Sequence, residues 1–255
     1  MSDHLDQEDP IEVAEDGTKR PKGIFLLPNL FTTGALFSGF YAVIAGMNGH
    51  FSAAAVAIFI AMVFDGLDGR VARMTNTQSK FGAEYDSLSD MVSFGVAPAL
   101  VSFTWVLQGL GKFGWMAAFI YCACAALRLA RFNTQIGSLD KRYFMGLPSP
   151  AAAATIAGII WYFSENDINP ADYATLIAFY VALVGVAMVS NLLYFSGKDI
   201  NLHGKIPFIK MAGVVVVVAL VATEPELYLW LLFLIYSLSG PVQWFLRKGR
   251  SSCSS

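Results

Sequence analysis

Apolar residues run along this chain in long stretches separated by short polar segments, with little of the strict alternation that a half-buried strand requires. A helix needs about 20 apolar residues to cross the hydrocarbon core of a bilayer. Eight stretches qualify, at 26–46, 51–73, 87–108, 113–133, 149–164, 171–194, 206–222 and 226–246. The predicted fold is all-α, a polytopic membrane helix bundle, with a polar N-terminal tail at 1–22 and a short C-terminal tail at 247–255. The stretch at 149–164 is short and rich in alanine, whereas those at 51–73, 87–108 and 113–133 carry charge only at one end.

Composition agrees with that pattern. The 255-residue chain is 56% hydrophobic and 14% charged, which excludes an ordinary soluble domain with one core. With the N-terminus in the cytosol and eight crossings, every lysine and arginine except Lys112 falls on the cytosolic side, while Glu165, Asp167, Asp172, Glu224 and Glu226 fall opposite. The expectation is a multi-pass protein of the inner, cytoplasmic membrane. Lys19-Arg20-Pro21-Lys22 reads as an anchor on anionic lipid. The acidic start MSDHLDQEDP has no cleavable signal, and Cys122, Cys124 and Cys253 make no disulfide framework. Nucleic acid is not an expected partner.

Against this apolar background, DGLDGRVARMTNTQSKFGAEYDSLSD spans residues 65–90. Asp65 and Asp68 share one helical face, and Asp86 and Asp90, four apart, share another on the next helix. A carboxylate at the centre of a membrane helix costs about 2.5–3.5 kcal/mol. Packing alone does not explain such a cluster; positive charge has to sit among the aspartates, and two divalent cations balance four carboxylates. Asp65 and Asp86 are placed to bridge two ions, with Asp68 completing one shell and Asp90 the other. Asp90, at the edge, can also accept the proton of an attacking hydroxyl. Gly69 and Ala72 keep one helix face narrow, and Arg73 offers a donor fork to phosphate. The plainer reading is a structural salt-bridge cluster with Arg70 and Arg73, but two arginines do not neutralise four acids. A cation transporter is the reading from a different class; it needs ionisable groups along a path, whereas here they gather at one face.

The spacing of these residues is similar to that of the CDP-alcohol phosphatidyltransferase family: Asp65, Asp68, Gly69, Ala72, Arg73, Gly82, Asp86 and Asp90 match every fixed position of its signature. The resemblance implies a six-helix core, here 23–195, with an additional helix pair at 196–246, commonly assembled as a homodimer. It implies two divalent metal ions, Mg2+ or Mn2+, and displacement of CMP from a CDP-linked donor by an alcohol. By the same resemblance the four aspartates are metal ligands, Asp90 is the general base, and Gly69, Ala72, Arg73 and Gly82 line the nucleotide site. Pro28-Asn29-Leu30 and Thr32-Thr33 resemble the family's P-N-x-x-T start, which assigns Asn29 and Thr32 to the cytidine diphosphate, with Ser79 as a further candidate. Thr33 reads instead as a helix cap.

The signature leaves the acceptor open, because enzymes for glycerol 3-phosphate, inositol phosphate and choline share it. SDMVSFGVAPAL (89–100), ALRLARFNTQ (126–135) and FMGLPSPAAAA (144–154) resemble the membrane-spanning, serine-using branch. That branch implies CDP-diacylglycerol and L-serine as substrates, CMP as product, and a site facing the cytosol. A zwitterionic acceptor needs a cation for its carboxylate. Arg128 and Arg131 lie three apart at the cytosolic end of the fourth stretch, and one of them is expected to hold the serine carboxylate or a donor phosphate, with Asn133 and 146–150 framing the pocket. The alternative is that both arginines snorkel to lipid phosphates.

Overall fold

The computed structural model describes residues 12–13, 19–20, 23–75, 77, 79–134, 143–195, 213 and 219–251. Helices α1 (Gly23–Met47), α2 (Phe51–Thr75), α3 (Lys80–Asp90), α4 (Ala97–Trp105), α5 (Lys112–Thr134), α6 (Ser149–Glu165), α7 (Ala174–Val189) and α8 (Pro225–Ser251) form the bundle. A π-helical turn, Met91–Val96, joins α3 to α4, so that Lys80–Trp105 makes a single crossing. Among the described residues six helices are long and apolar enough to span a membrane. The chain is thus a multi-pass membrane protein.

Helix α6 is the centre of this arrangement. From Ala151 to Ile160 it has no exposed position, and α2, α4, α7 and α8 all pack on it. Its alanines follow from that: a helix enclosed on every side presents small side chains so that its neighbours approach closely. The stretch that looked weakest as a lipid-facing span is weak because it does not face lipid.

Helix α1 runs along α2 and crosses the α3–α4 element at close range. A Cβ on Gly39 would stand 2.5 Å from Ser93 Oγ and 2.6 Å from its Cα, so only glycine lets the two backbones approach this way. The hydroxyls of Ser89 and Ser93 donate to the carbonyls of Thr32 (3.1 Å) and Ala35 (3.0 Å), fastening the same seam. The π turn begins immediately after Asp90 and leaves backbone carbonyls without regular helical partners. Tyr121, fully buried on α5, donates its hydroxyl to the Phe94 carbonyl at 2.9 Å.

The structure departs from the sequence-based expectations in several places. The polar turn before the third span is shorter than expected: Ser79 caps α3, its Oγ accepting the Gly82 N–H at 3.0 Å, so Lys80, Phe81 and Gly82 are helical. Helix α1 starts at Gly23, which places Asn29, Thr32 and Thr33 inside it; Thr33 is therefore not a cap. The sixth span stops at Val189 rather than 194, because Ser190 turns extended. Beyond it β4 (Leu193–Phe195) pairs antiparallel with β3 (Tyr143–Met145), which satisfies backbone groups that a longer helix would have engaged. Gly146 follows with φ +81, its Cβ position blocked by the Met188 carbonyl at 2.1 Å. In the polar tail, β1 (Glu12–Val13) pairs with β2 (Lys19–Arg20). The expected span at 206–222 lies largely outside the described residues. The ends flanking it are far apart: Ala187, in the last turn of α7, bonds Leu147 just before α6, whereas α8 begins beside the other end of α6.

The Gly39 seam gives a direct test. Gly39→Val should lower the melting temperature of the detergent-solubilised protein by several degrees, since overpacking a tight contact costs about 1–3 kcal/mol, while Gly109→Ala at an open position outside this contact should not disturb the crossing of α1 with the π turn, read by a cysteine crosslink across it.

Candidate active site

The site forms where the first part of α1, the C-terminal ends of α2 and α5, and α3 meet. One carboxylate oxygen each from Asp65, Asp68 and Asp86 lies within 4.8 Å of the others. Opposed oxygens around Mg2+ sit about 4.2 Å apart, at about 2.1 Å from the ion. The spread of the triplet is near that span and its donors are all carboxylate oxygens, so these residues fit a hard divalent cation. Asp90 is outside the triplet; its carboxyl group lies within hydrogen-bonding reach of Asp65, and Asp86 within reach of Asp68.

The cation these carboxylates face is Arg128, which stands within electrostatic range of both Asp65 and Asp90. Its Nη1 donates to Ser149 Oγ at 2.5 Å, at the first residue of α6, and its guanidinium lies 5.9 Å from the Phe132 ring centroid. Arg70 and Arg73 are exposed near the end of α2, and among the described residues neither forms an ion pair with an aspartate, so the salt-bridge reading of the motif fails. Like charges gathered in a largely apolar bundle repel one another at low dielectric. One guanidinium does not offset four carboxylates, which leaves the triplet suited to bound cations.

Asp68, the most enclosed of the triplet, is held by α1. Thr32, 3% exposed, donates its Oγ1 hydrogen to Asp68 Oδ2 at 2.9 Å and also approaches the Pro28 carbonyl at 3.2 Å. Sequence reasoning assigned Thr32 to the nucleotide; in the structure its hydroxyl orients a carboxylate. Thr33 donates to the Asn29 carbonyl at 2.7 Å and meets Tyr85 Oη at 2.9 Å. Asn29 stands beside the start of α3, its Oδ1 3.5 Å from where a Gly82 Cβ would lie, with Ser79 Oγ at 3.2 Å from the same point. Asn29, Ser79 and Gly82 thus form one corner. Across the cluster, Gly69 faces open space within 4 Å, and Ala72 and Arg73 continue the same helix toward solvent.

The two candidate acceptor arginines separate. Arg131 is engaged by the frame: Nη2 donates to Asn191 Oδ1 at 2.9 Å and touches Met145 Sδ, while Nη1 reaches the Val189 carbonyl at 3.4 Å. It ties α5 to the end of α7 and to β3. Arg128 alone of the pair addresses the aspartates. Asn133 is exposed and exchanges hydrogen bonds with Ser87, linking α5 to α3. Ser149 lies in the 146–150 segment expected to frame the pocket, whereas Ser87 and Tyr85 carry contacts that sequence reasoning missed, since neither occupies a fixed position of the motif.

An apolar groove of about 940 Å3 opens beside the site along the outer faces of α1 and α2, with Leu30, Gly34, Phe37, Ile60 and Phe64 among its walls. Phe64, in its wall, lies one helical turn before Asp68 on α2.

The sequence model described as CDP-alcohol phosphatidyltransferase matches residues 25–192. A CDP-diacylglycerol–serine O-phosphatidyltransferase of Helicobacter pylori is 34% identical over 221 residues, covering 87% of this chain and 92% of its own. Proteins of the same name from Mycobacterium tuberculosis and Methanocaldococcus jannaschii are 30% identical over 229 residues (88% of this chain, 79% of the relative) and 42% identical over 137 residues (54% and 61%).

The Thr32–Asp68 bond is testable with the metal alone. Thr32→Val should weaken Mn2+ binding by about tenfold, the usual scale for loss of a partner that orients a ligand; an isotherm unchanged from wild type would leave Asp68 oriented by other means.

Proposed function

The chain belongs to the CDP-alcohol phosphatidyltransferase family, and from this premise we propose that it transfers the phosphatidyl group of CDP-diacylglycerol to the hydroxyl of L-serine, releasing CMP. The single observation that carries the reading is the convergence of Asp65, Asp68 and Asp86 on one point, with Arg128 facing the adjoining Asp90. The relatives' shared name supports serine as the acceptor.

In this reading Asp65, Asp68 and Asp86 hold divalent ions, with Asp90 as the fourth ligand of a two-ion set. Bound Mg2+ or Mn2+ supplies positive charge against the diphosphate and the oxygens that gain charge as the bond to phosphorus changes hands. The protein's own residues do the rest. Asn29, Ser79 and Gly82 form the corner for the cytidine end of the donor, and the open face at Gly69 admits the donor close to α2. Ala72 keeps that face low, and Arg73 offers its guanidinium to a phosphate. An acyl chain fits the groove that has Phe64 of α2 in its wall, while Thr32 is buried on α1 with its hydroxyl on Asp68.

Arg128 pairs with the serine carboxylate and sets the acceptor hydroxyl toward Asp90. Asp90 takes the hydroxyl proton, the serine oxygen bonds to the phosphorus that carries diacylglycerol, and the bond from that phosphorus to the oxygen of CMP breaks. Arg131 and Asn133 act on the pocket indirectly, by joining α5 to the end of α7 and to α3. The same reading places the site on the cytosolic face of the inner membrane, supported by the one-sided distribution of lysine and arginine. Assembly as a homodimer belongs to this reading through the family resemblance.

Purified protein supplied with CDP-diacylglycerol and a panel of alcohols should release CMP with serine and not with glycerol 3-phosphate, inositol phosphate or choline. EDTA should stop the release and Mg2+ or Mn2+ restore it. Asp65→Asn and Asp86→Asn should lower turnover by about a thousandfold or more, and Asp90→Asn should lose turnover while retaining donor binding. The arginines divide differently: Arg128→Ala should raise the serine KM by about tenfold or more, whereas Arg131→Ala should lower the melting temperature and leave serine KM near wild type. The reverse pattern would reassign the carboxylate contact.

A further inference from the structure

Helix α8 lies beyond residues 25–192, the part that the family model covers, yet its register carries it to the site. It packs antiparallel to α6. A Cβ on Gly158 would stand 2.8 Å from Trp230 Cα, and one turn along Thr155 Oγ1 approaches the Phe233 carbonyl at 3.4 Å. Trp230 Nε1 donates to Tyr180 Oη at 3.3 Å, and Tyr180 in turn donates to the Thr155 carbonyl at 3.1 Å, locking that register. One further turn sets Tyr236 opposite Ala152, a turn away from Ser149, the residue that accepts from Arg128.

The end of α8 is fixed as firmly. Tyr194, fully buried, donates to the Ser237 carbonyl at 3.1 Å, and its ring fills the space where a Gly240 Cβ would be. Burial pushes the Tyr194 phenol up to about 12, so it remains a neutral donor at any physiological pH. The Tyr236 ring lies against Tyr194 at 5.7 Å between centroids, half-buried, and its phenol is within electrostatic range of Arg128.

We propose that Tyr236 is a positioning residue for the acceptor: its phenol oxygen accepts from the Arg128 guanidinium, directly or through one water. Together with Ser149 it aims Arg128 at the space beside Asp65 and Asp90. Helix α8 is then a wall of the acceptor pocket, supplied from outside the six-helix core. The assignment rests on the reading of Arg128 as the partner of the serine carboxylate.

The test compares full-length wild type, Tyr236→Phe, Tyr194→Phe and Tyr236→Phe combined with Arg128→Lys, each purified in detergent. Tyr236→Phe keeps the ring and its packing; it should raise the serine KM by about tenfold while the KM for CDP-diacylglycerol stays within about twofold of wild type. Tyr194→Phe, which loses only the bond docking α8, should lower the melting temperature without moving the serine KM. In the Arg128→Lys background Tyr236→Phe should add nothing further, because the two act as one unit. A serine KM unchanged in Tyr236→Phe, or effects that multiply in the double variant, would overturn the positioning role. Wild-type CMP release that does not depend on serine would instead overturn the acceptor reading, and the role of Tyr236 with it.

Discussion

The interaction on which this protein depends is the mutual repulsion of carboxylates gathered at one end of an apolar helix bundle. Asp65, Asp68 and Asp86 converge within 4.8 Å, and Asp90 adjoins Asp65. Left to themselves, such groups in a low-dielectric setting drive the helices apart or take up protons. What holds them is mostly neutral chemistry on other elements: the Thr32 hydroxyl on Asp68, the Ser89 and Ser93 hydroxyls on the backbone of α1, and the glycine contact between Gly39 and Ser93. The outcome is a compact set of carboxylate oxygens of the kind that a hard divalent cation accepts as ligands.

Around the carboxylates the bundle divides labour between closeness and polarity. Small residues let backbones approach: Gly39 at the π turn, Gly158 at α8, Gly185 against Tyr121 on α5, and the alanines of α6 on all sides. Hydroxyls then satisfy the backbone groups that such close crossings and the π turn leave open, as Tyr121 does for Phe94. In a membrane this is the expected way to join helices, since lipid gives little apolar drive for association and unpaired polar groups are costly.

The arginines show how similar residues take different work from their surroundings. Arg128 and Arg131 lie on one face of α5, three positions apart. Arg131 meets Asn191, Met145 and the last carbonyl of α7, and spends its hydrogen bonds on the frame. Arg128 has one bond to Ser149 and otherwise faces the acids. Residues at a helix end are presented to whatever the neighbouring elements bring there, and here those elements are the β3–β4 pair for one arginine and the aspartates of α2 and α3 for the other.

Much of this was legible in the linear chain, because it is written in local periodicity. Membrane crossing follows from run length, and the motif from spacings of three and four that any helix converts into a shared face. The chain alone thus determined the helical bundle, the four aspartates and their family. Its boundaries failed where a tertiary partner competed: β3 with β4 shortened the sixth span, and the start of α1 at Gly23 removed Thr33 from any cap. Only the tertiary structure decided that Thr32 serves a carboxylate, that α6 is central, that Arg128 and not Arg131 faces the site, and that Tyr236 from the last helix stands beside it. Those are relations between residues far apart in sequence, and helical periodicity carries no information about which face of one helix meets which face of another.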